Sequence, residues 1–176
     1  PFEWPTEDTS YFDPNFELTL LPGEEVYFKR GKNIDVLVQN GELKLIYENN
    51  EFQMEGELSS RQGVFEYYSN KFLLDSATAT FRRFQGVVPN LHVEATTSVD
   101  GVAIRARLDG PADNMITTFI SQPDLSEKEI LALLTQKGGI AEFIVGEKDD
   151  EDVSDFVKRE FIRMLQSTFQ LTFVSD

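Results

Sequence analysis

The chain has no cysteine and a single histidine in 176 residues. Without thiols it can form no disulfide, no thiolate metal site and no cysteine nucleophile. The redox compartment stays open, because proteins of oxidising spaces can also do without the residue. His92 alone cannot build a metal cluster. It falls on the polar phase of the segment carrying Leu91 and Val93, a place for an exposed structural side chain. No serine lies in a GxSxG elbow, so a Ser/His/Asp triad has no frame. Positive charge is scarce: 16 Lys and Arg face 31 Asp and Glu, for a net charge of −15. Such a surface repels phosphate backbones and anionic headgroups, which argues against nucleic acid and against polybasic membrane docking. No apolar run approaches the roughly 20 residues of a membrane-spanning helix. The opening Pro1-Phe2-Glu3-Trp4-Pro5 has neither a charged n-region nor a signal core. With no initiator Met, the chain reads as a piece of a longer protein.

Glycine-rich phosphate loops are missing too, since Gly138-Gly139 precedes no GK[ST] sequence. The run Asp149-Asp150-Glu151-Asp152 lacks the spaced ligands and glycine of an EF-hand loop. Carboxylates there suit the start of a helix. Two of the many Asp and Glu could stand at glycosidase spacing, but their abundance makes this uninformative. No catalytic residue, cofactor or metal site is expected, and the chain reads as non-enzymatic.

What the sequence does have is alternation. Apolar and polar residues trade places with the period of two that gives a strand one greasy and one wet face. Strands are expected at about 16–21, 24–29, 34–39, 42–48, 51–59, 63–68, 71–75, 77–84, 90–98, 102–109 and 115–120. Pro22-Gly23, Arg30 to Asn33, Asn40-Gly41, Glu48 to Asn50, Ser69-Asn70 and Asp100-Gly101 supply turn chemistry between them. Strands joined by such short links should be antiparallel neighbours. The apolar phases give a candidate wall: Ile34, Val36, Val38, Leu43, Leu45, Tyr47, Phe52, Met54, Leu58, Leu91, Val93, Ala95, Val102, Ile104, Ala106 and Leu108. Leu37 and Ile46 fall on the opposite, wet phase. Aromatics make up 12 % of the chain, and Phe65, Tyr67, Phe72, Phe81 and Phe84 cluster mid-sheet, where core filling accounts for them.

The pattern changes at Pro123. Ser126 and Glu129 form a capping-box pair, and Ile130, Leu131 and Leu134 recur on one helical face before Gly138-Gly139. Residues 1–15 read as an irregular lead-in, 16–120 as the sheet and 121–139 as the capping helix. Residues 140–176 read as an acidic loop, an amphipathic helix over 152–168 and the start of a truncated strand near 169–174.

Three segments together resemble the TamB family's C-terminal domain. Gly56 to Tyr67, running into Lys71 to Phe81, is similar to its repeating unit of loop, glycine and aromatic strand. Pro89 to Thr96 followed by Ile104 to Pro111 is similar to its "P-x-L-x-hydrophobic-x-A" and "hydrophobic-x-G-P" strands. Ser121-Gln122-Pro123-Asp124-Leu125-Ser126-Glu127-Lys128-Glu129-Ile130-Leu131-Ala132-Leu133-Leu134 resembles the family's "S-x-P-x-L-S-E-x-E-I-L-A-L-L" signature. Asp75-Ser76-Ala77 and Phe81-Arg82-Arg83-Phe84 depart from the family's small-residue turn and neutral flank.

The resemblance implies a mainly β chain: a long antiparallel sheet folded into a U-shaped open trough, a β-taco, with one or two C-terminal helices. It further implies a periplasmic protein, anchored at the inner membrane by a distant segment, that shields phospholipid acyl chains during inter-membrane transport and outer-membrane biogenesis. An Omp85-class barrel protein of the TamA or BamA type is the implied partner. On this reading the wall residues line the lipid groove, and Asp at Leu45 or Ile104 blocks transfer without unfolding. The rival reading is a module that docks a barrel, or nascent outer-membrane proteins, by strand addition at a sheet edge near 169–174.

Overall fold

The computed structural model describes residues 15–30, 33–67, 69–136 and 159. Ten strands and one helix follow in order: β1 (Phe16–Leu20), β2 (Val26–Arg30), β3 (Ile34–Val38), β4 (Asn40–Glu48), β5 (Glu51–Ser60), β6 (Gln62–Tyr67), β7 (Asn70–Phe81), β8 (Asn90–Val99), β9 (Val102–Pro111), β10 (Ile116–Gln122) and α1 (Glu127–Gln136). The lead-in before residue 15, the acidic loop, the strand near 169–174 and, except for Arg159, the helix expected over 152–168 lie outside the described residues.

All ten strands join one antiparallel sheet, curled into an open half-barrel trough. The hydrogen-bonded order β1-β4-β5-β7-β6-β3-β2, with β8, β9 and β10 continuing from β7, suggests branching. The register shows a plainer path. Asn40 pairs with Ser59 in β4 and β5, and Leu37 pairs with Gln62 in β3 and β6, so one ladder runs through both pairs. Likewise Ser60 pairs with Ala77 and Val64 with Leu73, so β5 and β6 lie end to end along β7. The chain is therefore an up-and-down meander of long strand paths, 16–30, 34–48, 51–67, 70–81, 90–99, 102–111 and 116–122.

Two expected hairpins are corrected by this path. Strands β1 and β2 do not pair across Pro22-Gly23, nor β3 and β4 across Asn40-Gly41. Both are breaks within one strand path. The sequence signal there was real glycine freedom, with φ +124 at Gly41, but it serves a bend and not a reversal. True reversals sit at Asn49-Asn50 (φ 53 and 61) and Asp100-Gly101 (φ 50 and 81), the paired positive φ of tight hairpin turns. A third correction joins the strands expected at 71–75 and 77–84 into the single β7, which ends at Phe81.

The breaks line up. Val38 and Gly41, Ser60 and Gly63, and Leu74 and Ala77 are each three residues apart yet point to the same face, as cavity lining and cross-strand pairing require. An extra residue in each strand, near Gln39, Arg61 and Asp75, switches the inward phase from one parity to the other. Side chains satisfy backbone groups left out of the ladder: the Arg61 N–H donates to Gln39 Oε1 (2.7 Å) and the Gln62 N–H to Ser60 Oγ (3.0 Å). A crease thus crosses three adjacent strand paths and ends at β8, whose inward residues Leu91, Val93, Ala95, Thr97 and Val99 keep one parity.

The outer phase is less wet than expected. Ile46 is buried, which corrects its assignment to a solvated face, and Leu37 lines an outer cleft with Tyr27 and Val64. The main core lies on the inner face at the C-terminal end, where Phe72, Ile104, Leu108 and Val99 meet Ile130 and Leu134 of α1.

Close to the crease, β4 and β5 approach tightly. A Cβ on Gly41 would lie 1.9 Å from Glu57 O, and one on Gly56 would lie 2.1 Å from Glu42 O. Gly56 also holds φ +134 and faces Phe81 across the ladder. We predict that Gly56→Ala costs more than about 1–3 kcal/mol, the range for strained φ alone, because the strands must also part. A chemical-denaturation midpoint close to that of the parent chain would contradict this account.

Candidate functional site

The candidate site is the inner face of the trough, which the meander and crease keep predominantly apolar, with Ser60, Thr97 and Thr117 as buried polar members. Cross-strand register places all sixteen predicted wall residues on this face. The structure divides them into three environments.

In the middle, Ile34, Val36 and Val38 of β3, Leu58 of β5, Leu91 and Val93 of β8 and Leu108 of β9 line a cavity of about 240 Å³. Residues on both sides of the crease contribute, so the bend itself makes the concavity. Sequence reasoning passed over Phe28, Leu74, Ala77 and Ala79, which line it too, and assigned Phe65 and Phe81 to core. Their alternation was visible, but the parity switch at Asp75 hid which residues of β7 face inward. The cavity exceeds the ~150 Å³ apolar void that can stay dry and take a benzene-sized ligand. It falls short of the roughly 300 Å³ minimum typical of a whole small-molecule site.

At the N-terminal wing the wall lies largely open, with Leu43 its buried member. Leu43, Leu45 and Tyr47 of β4 stand opposite Gly56, Met54 and Phe52 of β5 and opposite Leu20, Leu18 and Phe16 of β1. Phe16 stacks on Tyr47 at 5.6 Å between ring centroids, and Tyr47 meets Phe52 at 4.6 Å. Even so, Phe52 keeps 42 % of its surface exposed, and Phe16, Leu18, Leu20, Val26 and Phe28 are comparably bare. The β1 and β2 residues were a legible part of the wall that the predicted set omitted. The opposite phase is charged, with Lys44 Nζ 3.7 Å from Glu17 Oε1.

At the C-terminal end the wall is closed. Ala95, Ile104 and Ala106 are fully buried, and Val102 packs against the same cluster. Phe65 and Phe72 stack face to face at 4.8 Å between centroids. The α1 face of Ile130, Leu131 and Leu134 covers this end, and buried Asn70 of β7 donates from Nδ2 to the Leu134 carbonyl (2.7 Å). The helix C-terminus, which leaves carbonyls unsatisfied, is thereby pinned to the sheet.

The helix start is built as the sequence predicts. The Ser126 N–H donates to Glu129 Oε2 (2.8 Å), and the Glu129 N–H reaches Ser126 Oγ at 3.4 Å. Ser121 stitches the preceding turn, its hydroxyl donating to the Pro123 carbonyl (2.9 Å) and accepting from the Leu125 N–H (3.0 Å). The hydrogen bonds from Ser126 hold the Glu129 carboxyl below the usual glutamate range. His92 is exposed on the outer face with Nδ1 against Asp109 Oδ1. Among the described residues no three His, Asp or Glu converge as a metal cage would require. The arrangement offers apolar shelter along the inner face.

The division of the wall and the capping box are each open to test. Ile104→Asp places a carboxylate in a fully buried site and should unfold the domain, which corrects the expectation that Leu45 and Ile104 tolerate Asp alike; Leu45→Asp, on the open wing, should leave far-ultraviolet dichroism intact. Equal loss of structure in both variants would refute the division. Ser126→Ala should cost about 1 kcal/mol, the usual worth of an N-cap. Because the folded Glu129 carboxyl is the stronger acid, its contribution is present above the ordinary glutamate pKa and is lost as pH falls through the folded value. Glu129→Gln should therefore flatten the acid limb of the stability profile, and an unchanged limb would count against the box.

Comparison with known proteins places these features. The sequence model of the TamB C-terminal domain matches residues 3–172, nearly the whole chain. A search of the curated proteins finds no match.

Proposed function

The chain belongs to the TamB C-terminal domain family, and on that footing we propose that its inner face shields phospholipid acyl chains as they move between membranes. Membership ties the chain in general terms to the lipid-transport-related translocation and assembly module. We further infer a periplasmic bridge segment, anchored to the inner membrane through a segment outside this chain and working with an Omp85-class barrel. One observation carries it. The exposed apolar residues of the open wing lie on the same phase as the residues lining the cavity, so the shelter runs continuously from solvent to core.

The energetics favour this use. Leaving an acyl chain in water costs about 0.8 kcal/mol per methylene, so a carrier needs an unbroken apolar path. Six comparably bare apolar side chains on one phase are also costly to leave uncovered, and a lipid tail covers them. The cavity volume suits part of one tail, with the remainder lying along the wing and the headgroup in solvent.

A photo-crosslinking residue at Leu45 should capture phospholipid in cells, and one at Lys44 should not, since the two point to opposite faces of β4. Lipid captured at neither position, or equally at both, would refute the groove.

A further inference from the structure

Among the described residues the sheet has two open edges, and they are not alike. The path of β1 and β2 pairs on one side only, and so does β10, whose ladder is with β9. An edge strand leaves a row of backbone donors and acceptors unpaired, and natural edges are blunted by proline and charge. The path over 16–30 carries those devices, with Pro22 and the charged Glu17, Glu24, Glu25, Lys29 and Arg30. Strand β10 carries none of them. It runs Ile116-Thr117-Thr118-Phe119-Ile120-Ser121-Gln122, without charge, proline or glycine, and its β-branched and aromatic residues favour a strand.

Both faces of β10 also lack something. On the outer phase Ile116 is 71 % exposed and Ile120 53 % exposed. On the inner phase Thr117 is buried, and its hydroxyl has no hydrogen-bond partner. A buried hydroxyl left unpaired is destabilising. Among the described residues no backbone hydrogen bond outside the β9 ladder reaches β10. The edge therefore calls for a strand with large apolar residues on one phase and hydrogen-bonding side chains on the other.

The chain contains such a sequence. Phe169-Gln170-Leu171-Thr172-Phe173 lies outside the described residues, is uncharged and alternates in this way. With Leu171 opposite Thr118, Phe169 and Phe173 fall beside Ile116 and Ile120 whichever way the segment runs. Thr117 then faces Thr172 in an antiparallel ladder or Gln170 in a parallel one, and either side chain can bond its hydroxyl. A slip of one residue would send the aromatics to the inner row and leave the isoleucines bare. Residues 137–168 connect α1 to this segment and, at ~1.5 Å per residue even if wholly helical, reach either edge of the sheet. Edge chemistry, not tether length, thus selects β10.

We propose that residues 169–173 add to the open edge of β10 as the next strand of the sheet. The inference concerns the edge alone and is independent of what the groove carries. Because the chain has no cysteine, introduced pairs report the contact without background. In the full chain, Thr118→Cys with Leu171→Cys should close an intramolecular disulfide under mild oxidation. Thr118→Cys with Thr172→Cys, on opposite faces, should not. Equal closure of both pairs, or of neither, would overturn the proposal. Disulfides formed only between chains would assign the edge to a second copy and overturn it too. As a second readout, deleting residues 169–176 should speed hydrogen exchange at the β10 amides that point away from β9. The expected change is roughly 2–10-fold, the worth of one backbone hydrogen bond, with β8 and β9 amides unchanged. Unaltered exchange in β10 would overturn the added strand. Loss of protection across β8 and β9 alike would make the segment a support of the whole fold, and that too would overturn its role at the edge. Neither assay reads lipid binding, so failure here leaves the groove reading standing.

Discussion

Everything in this structure depends on keeping one apolar face continuous across a sheet that bends. A flat ladder could alternate without interruption, but a sharp bend needs extra chain on its strands, and one extra residue sends every later side chain to the wrong face. The protein resolves this by placing the extra residue at corresponding points of three neighbouring strand paths, near Gln39, Arg61 and Asp75, so that their phases switch together. Polar side chains then satisfy amides that the ladder drops, as Gln39 and Ser60 do for Arg61 and Gln62. Each such hydrogen bond is worth about 0.5–1.5 kcal/mol, which helps to make the crease tolerable.

From the crease the two ends of the trough diverge in energy. Fully burying a leucine or isoleucine is worth about 1.5–3 kcal/mol, and the C-terminal end collects this at Ile104, Leu108, Ile130 and Leu134. The N-terminal wing, with Phe16, Leu18, Leu20 and Phe52 exposed, collects much less. Stability therefore concentrates where α1 covers the sheet, and the bare part of the wall is the part that can open at least cost. A single wall of uniform chemistry thus serves as core at one end and as open surface at the other.

Much of this was legible in the sequence, and the failures share a cause. Wall phases were read correctly on β3 and on β4 because the apolar parity changes visibly between Val38 and Leu43. The reason for the change was misread: Asn40-Gly41 has the composition of a reversal, and local chemistry alone does not separate a turn from a bend within a continuing ladder. The same ambiguity split β7 at Asp75, where polar Asp and Ser interrupt an otherwise continuous strand. The capping box at Ser126 and Glu129 was read to the atom, since its partners are three residues apart and need no tertiary information. The division of the wall into closed and open parts was invisible, because alternation reports which way a side chain points and not what arrives to cover it.

The closed end also constrains how a groove of this kind can work. Ile104 and Leu134 are fully buried where α1 meets the sheet, so no tail can slide past them while the helix is seated. A tail entering from the open wing meets the cavity first and the packed core next. On the proposed function the cavity has room for only part of a tail, and the remainder would extend back along Leu45, Met54 and the β1 wall toward solvent. A lipid held this way lies with its tail pointing inward and its headgroup near the rim, where the strand ends and their loops project. Such an orientation follows from packing alone, and it holds for any amphiphile with one polar end, whatever its headgroup.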